Sequence, residues 1–253
     1  MAWRKLYDGD EPQRVNKWLA QNGVCSRREA ESLIQQGLVS IDSETVFDVG
    51  RKIEPGQTLT ISDTGAALLD AAVSVVIHKP VSLVSSQPEG EQIPAARLLT
   101  RDNLQGEARI IPRWDQHLAP LGRLDQDSRG LLILSEDGVL AKALIGPEST
   151  LDKEYLVRIV GEITEEKLAL LRHGLELDGR QLRPADVTAL SPLKLRFVLR
   201  EGRNRQIRRM CELVDLDVID LFRIRIGPLE LGDLQQGKWR PLRPEERAAL
   251  IAG

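Results

Sequence analysis

Between positions 200 and 209 the chain reads Arg200-Glu201-Gly202-Arg203-Asn204-Arg205-Gln206-Ile207-Arg208-Arg209, five arginines against one glutamate. Ile207, Met210, Cys211 and Val214 then follow the i, i+3, i+4, i+7 spacing of a helix with one buried side. Arg205, Arg208 and Arg209 therefore gather on another side, where guanidinium groups can each donate paired hydrogen bonds to phosphate oxygen. Arg223 and Arg225 alternate with Phe222, Ile224 and Ile226 and suggest a basic strand face. A second candidate is Gly122-Arg123-Leu124-Asp125-Gln126-Asp127-Ser128-Arg129-Gly130, a polar loop bracketed by glycines. An aspartate there can form a turn, bind magnesium with its neighbour, or act as a nucleophile, and spacing alone does not choose between Asp125 and Asp127. Arg14, Lys17, Arg27 and Arg28 form a weaker basic group near the N-terminus. Such clustering favours RNA or another polyanion as partner.

These side chains need elements to hold them. Val15, Trp18 and Leu19 recur at helical spacing, with Gly23 where the helix would stop. Ser26-Arg27-Arg28-Glu29 fits a capping box, and Ala30, Leu33 and Ile34 give the second helix its apolar face before Gly37. Short strands follow at Leu38–Ile41 and Leu59–Ile61. Ser62–Ala72 is small, polar and Ala-rich without a clear period, and is read as a linker. Beyond it Val73–Ile77 and Leu131–Leu134 suggest strands, the latter fed directly by the Asp125 loop. Thr164 opens a helix with Glu165 and Glu166 in its first turn and Arg172 and His173 in its last, matching the macrodipole. Leu177-Asp178-Gly179-Arg180 reads as a hairpin turn. Leu193, Leu195, Phe197 and Leu199 alternate with a mostly basic face. The stretch 87–120, with four of the 13 prolines, is a functional loop or small insertion. Strands and helices without regular alternation predict an α+β fold.

Composition sets the outer bounds. The chain has 253 residues, 42% hydrophobic and 29% charged, with a net charge of −3, so it is long enough for one or two packed domains and is neither fibrous nor disordered. No apolar run approaches the roughly 20 residues that cross a bilayer. Two cysteines argue against a disulfide scaffold and for a reducing, cytoplasmic setting. His78, His117 and His173 are scattered and have no recognisable ligand spacing.

Gly122 to Leu132 resembles the G-R-L-D-x-[DN]-[ST]-x-G-L-[LI] signature of bacterial ribosomal-RNA pseudouridine synthases, in the branch acting on single ribosomal sites. Lys153-Glu154-Tyr155-Leu156-Val157 is similar to the family's second motif, and Gly202 to Met210 to its third. Arg14 to Ile61 resembles the S4 RNA-binding module, so the likeness runs from about Gln13 to Leu242. The family usually carries K-P-x-G after its first catalytic strand, whereas this chain has Lys79-Pro80-Val81-Ser82, which puts the local loop conformation in question.

The resemblance implies a small S4-like domain over 12–62, a linker over 63–72, and a catalytic domain over 73–253 with a mixed, largely antiparallel sheet and flanking helices. It makes Asp125 the nucleophile in isomerising uridine to pseudouridine, Arg208 the guanidinium beside it, and Tyr155 the aromatic that contacts the flipped base. A shielded carboxylate needs such a cation. Arg14, Lys17, Arg27, Arg28, Arg123, Arg203, Arg205, Arg209 and Arg223 are then the RNA-binding set. No metal or cofactor is called for. The expected partner is ribosomal RNA or an assembly intermediate, large-subunit RNA favoured, met by a cytoplasmic monomer with no membrane attachment. The competing reading is a non-catalytic RNA-binding assembly factor, which would have no need of Asp125, Tyr155 and Arg208 together.

Overall fold

The structure, a computed structural model, describes every residue except Met1, Ala2, Gln87, Trp114 and His117; the histidine considered above at 117 therefore lies outside the described residues. The chain divides into two compact units, one of residues 1–73 with 135–142 and the other of 74–134 with 143–253.

In the N-terminal unit the helices Val15–Gln21 and Arg27–Gln35 form where the periodicity places them. Ser26 accepts from the Glu29 amide while the Glu29 carboxylate accepts from the Ser26 amide, which satisfies two donors that a helix start leaves unpaired. Trp18, Leu19, Ala30, Leu33 and Ile34 are buried with Val39, Ile41, Leu59 and Ile61 of an antiparallel sheet. Its strands run in the order Trp3–Leu6, Thr58–Ile61, Val39–Ile41, Glu44–Thr45. The 63–72 stretch is not a free linker: Asp63–Asp70 is a helix, capped by the Ser62 hydroxyl, and Leu69 packs against this core. Its apolar residues are mostly alanines, good helix formers that leave little periodic signal.

The second unit is built on a mixed sheet in the order Asp186–Ser191, Lys194–Leu199, Lys153–Val160, Asp217–Ile226, Arg129–Ser135, Ser74–Lys79, Trp239–Pro241. Strand 153–160 is antiparallel to both neighbours, whereas 129–135 runs parallel to 217–226. The α+β class follows. Helices Glu165–Arg172 and Gln206–Glu212 contribute Leu168, Leu171, Ile207, Met210 and Cys211 to a core shared with Val157, Ile159, Leu195 and Phe197. Thr164 caps the first of these helices, accepting from the Lys167 amide. Asp178 and Gly179, with φ of 56° and 71°, make the hairpin turn between Glu176–Leu177 and Arg180–Gln181. The long 87–120 stretch is tied to strand 239–241: the Trp239 indole donates to the Thr100 carbonyl at 2.8 Å, and the Trp239 amide to Asn103 at 3.0 Å.

Ser82 adopts a φ of 74°, the left-handed backbone for which glycine is the ordinary choice. Its amide donates to the Gln126 carbonyl at 2.8 Å, and Gln126 Nε2 returns a bond to the Ser82 carbonyl at 3.2 Å. The left-handed penalty of about 1–2 kcal/mol exceeds the roughly 0.5–1 kcal/mol that glycine loses in chain entropy. Ser82→Gly should therefore stabilise the protein by about 0.5 kcal/mol in urea unfolding; a lower midpoint would show the serine is not strained.

Candidate active site

Gly130 is where the loop joins the sheet. Its φ is 117°, and a Cβ built there would lie 2.2 Å from the Arg223 carbonyl oxygen, so only glycine permits strands 129–135 and 217–226 to meet. Leu124 is buried, and the Ser85 hydroxyl both accepts from the Leu124 amide at 2.8 Å and donates to its carbonyl at 2.6 Å. The Ser128 amide donates to the Asp125 carbonyl at 3.1 Å and closes a turn. Asp125, the first residue of that turn and the neighbour of Leu124, has a side chain 27% exposed.

Asp125 faces an open cleft of about 800 Å³, also lined by Tyr155, Arg123, Arg205, Arg183 and Arg200. Tyr155 shares a strand face with Val157 and Ile159 and packs against their core. The register against 217–226 slips between Glu154 and Tyr155, the kind of irregularity that re-aims a side chain beside a site.

Beneath the loop lie two buried cations. The fully buried Lys79 ammonium donates to the Ser128 carbonyl at 2.8 Å and to Pro80 at 2.9 Å. Burial pulls its pKa down to about 8 against the opposing pull of the Asp127 and Asp125 carboxylates. Arg223, 1% exposed, donates from Nε to the Leu131 carbonyl at 2.8 Å and from its two terminal nitrogens to Gly122 at 2.8 Å and Arg123 at 3.3 Å. Lys153, also in the cleft, is lowered by burial and by the Arg223 charge.

The guanidinium next to Asp125 is Arg205, 3.8 Å from Oδ2, and not Arg208 as expected. Arg208 donates to the Asp127 and Val218 carbonyls at 2.8 and 3.0 Å, and its Nε lies 3.2 Å from Asp127 Oδ2 as an ion pair without hydrogen-bond geometry. Arg205 is the N-cap of helix 206–212 in a left-handed conformation, φ 49°, which turns its side chain to the loop. It also grips Asp127 through two bonds of 3.1 and 2.9 Å. Burial raises the Asp127 carboxyl, but the Arg205 hydrogen bond and the two arginine charges outweigh it and hold the group below its ordinary value. Asp127 thus shapes the loop and Asp125 is the acid left facing the cleft.

Much of the expected RNA-binding set is already engaged within the chain. Arg223 is buried, so its guanidinium is not a phosphate contact. Arg203 donates to the carbonyls of Leu177, Arg180 and Gln181, and Arg209 pairs with Asp178 at 2.6 and 2.9 Å; both fasten the 176–181 hairpin. The basic strand face is neutralised as well: Arg196 and Arg225 pair with Glu154 at 2.7 and 2.8 Å, and Arg225 with Asp152 at 2.7 Å. Arg123 is exposed at the cleft, and Arg14, Lys17, Arg27 and Arg28 are exposed on the N-terminal unit. Reading the sequence missed Arg183 and Arg200. Both are exposed and have no side-chain hydrogen bond or ion pair among the described residues. Arg200 stood inside the basic run, but nothing marked it apart from the arginines that turn inward.

An acid and a tyrosine in a cleft rimmed by unpaired guanidinium groups suit an enzyme that works on a polyanion. The comparisons name the class. A family model described as RNA pseudouridylate synthase matches residues 73–213, and one described as S4 domain matches 13–59. The Dual-specificity RNA pseudouridine synthase RluF of Escherichia coli (strain K12) is 33% identical over 244 residues, covering 96% of this chain and 79% of its own. The Ribosomal large subunit pseudouridine synthase B of Bacillus subtilis (strain 168) is 32% identical, covering 95% of this chain and 96% of its own. A crystal structure of a pseudouridylate synthase superposes with a TM-score of 0.64 at 25% identity, over 94% of this chain and 99% of that one. The chain belongs to the RNA pseudouridylate synthase family and is an RNA pseudouridine synthase with an N-terminal S4 domain. No helix among the described residues is long and apolar enough to cross a membrane.

Lys79 makes stability pH-dependent. Its folded pKa of about 8 lies below the ordinary 10.5, so between those values the unfolded chain binds more protons and stability rises with pH. Below pH 8 the cost of burying the charge is fully present. In urea titrations from pH 7 to 10, the stability of wild type minus that of Lys79→Met should grow above pH 8, by at most about 1.4 kcal/mol per pH unit. A difference that stays flat would mean the ammonium keeps its ordinary pKa.

Proposed function

We propose that the protein converts uridine to pseudouridine at a ribosomal-RNA site, with Asp125 as the nucleophile acting on a flipped base. The observation that carries this reading is the placement of Asp125: a carboxylate lining the same cleft as Tyr155 and flanked by Arg205. The name of the Escherichia coli relative supports RNA as the substrate, and that of the Bacillus subtilis relative favours ribosomal RNA of the large subunit.

The chemistry is an exchange of bonds within one nucleotide. The N1–C1′ bond breaks, the uracil turns, C5 bonds to C1′, the C5 proton leaves and N1 gains a proton. The Asp125 carboxylate promotes this by adding to the base at C6 or by capturing C1′, where glycosidic cleavage builds positive charge. Tyr155 contacts the base and assists the proton at C5. A base inside a helix exposes neither atom, so it must leave its stack at a cost of a few kcal/mol. Phosphate contacts from Arg123, Arg183 and Arg200 offset that cost, and the basic side chains of the S4 unit (Arg14, Lys17, Arg27, Arg28) hold neighbouring RNA.

Incubation with unmodified ribosomal RNA, followed by adduct mapping and primer extension, should reveal one or very few modified uridines. Asp125→Asn should bind the RNA with unchanged affinity and form no pseudouridine; modification by this variant would remove Asp125 from the reaction. Replacing Arg183 and Arg200 with alanine should weaken RNA binding and lower the slope of log affinity against log salt by about 1 to 2. An unaltered slope would place both outside the RNA path.

A further inference from the structure

We propose that Arg223 and Ser85 are positioning residues that set the reactive geometry of Asp125 by holding the backbone on either side of it. This rests on the reading of Asp125 as the reacting group. Among the described residues, neither side chain makes a hydrogen bond or ion pair with Asp125. Arg223 collects the carbonyls of Gly122 and Arg123, which precede the acid, and of Leu131, which follows it. One rigid, planar cation thus spans both ends of the loop. Ser85 takes the amide and the carbonyl of Leu124, the residue immediately before Asp125. Both side chains are buried, 1% and 6% exposed, so water does not compete for these bonds.

Arg223 is well placed to act as a clamp. Its backbone pairs with Gly130 on one side and Tyr155 on the other, so the residue that anchors the acid's loop is fixed in register with the tyrosine across the cleft. The absence of a Cβ at Gly130 lets the two strands approach closely enough for this. Lysine keeps the charge but has no planar fork to reach carbonyls on both sides of the loop. A displacement of about 1 Å in a reacting group costs on the order of 100-fold in rate even when binding is intact.

The test is Arg223→Lys, with kcat, KM and RNA affinity measured on the same RNA substrate, and trypsin cleavage after Arg123 in the loop and Arg129 at the start of the strand that follows it, as a readout of loop order independent of the chemistry. Arg223→Lys should lower kcat about 100-fold while KM and RNA affinity stay within about threefold. Cleavage at Arg123 and Arg129 should accelerate relative to other sites. Wild-type kcat, or a loss confined to affinity, would overturn the clamp. Ser85→Ala, a small truncation, covers the case in which Arg223→Lys does not fold: it should lower kcat about tenfold at unchanged KM, and an unchanged kcat would overturn the proposal. Asp125→Asn run alongside separates the two ideas. Activity in that variant defeats the nucleophile reading, whereas an inactive Asp125→Asn beside a fully active Arg223→Lys defeats only the clamp.

Discussion

Buried backbone carbonyls must find donors, and the loop that carries Asp125 meets this demand with charged side chains. Strand ladders satisfy their own polar groups, but an irregular segment lodged against a sheet does not. Lys79 and Arg223 supply the missing donors from beneath, to Ser128 on one side and to Gly122, Arg123 and Leu131 on the other. Each ammonium or guanidinium is costly to bury alone, and each is held by carbonyl oxygens that would themselves cost free energy if left unpaired. Asp125 is therefore displayed to the cleft by a segment whose carbonyls are held by buried cations.

The same economy of charge explains why most arginines of the basic run are unavailable to RNA. Arg203 and Arg209 fasten a hairpin, Arg205 and Arg208 hold Asp127, and Arg196 and Arg225 share Glu154. Of the arginines that line the cleft, Arg123, Arg183 and Arg200 remain exposed and unpaired among the described residues. Because guanidinium groups are always charged and always need acceptors, those that lie near carbonyls or carboxylates settle on them, and only those without such neighbours wait for phosphate.

Local rules were legible where local forces decide. The capping box at Ser26 and Glu29, the Thr164 cap, the Asp178-Gly179 turn and the apolar stripe through Ile207, Met210 and Cys211 all form as the residues indicate. The helix at Asp63–Asp70 was missed because alanines and a small cap residue carry little pattern. Two pairings also escaped. Arg205, through a left-handed N-cap, takes the place beside Asp125 that Arg208 was expected to hold, and Arg223 turns into the core although its strand alternates as if half-exposed.

From its sequence alone this chain declares its family, its α+β class and the acid, tyrosine and arginine motifs, because residue order and short-range spacing specify helices, turns and signatures. The partner of each charge was decided only by the tertiary structure. An arginine's reach of several ångströms spans elements distant in sequence, such as Arg223 and Gly122, and burial rather than residue type determines whether that charge serves the fold or the substrate.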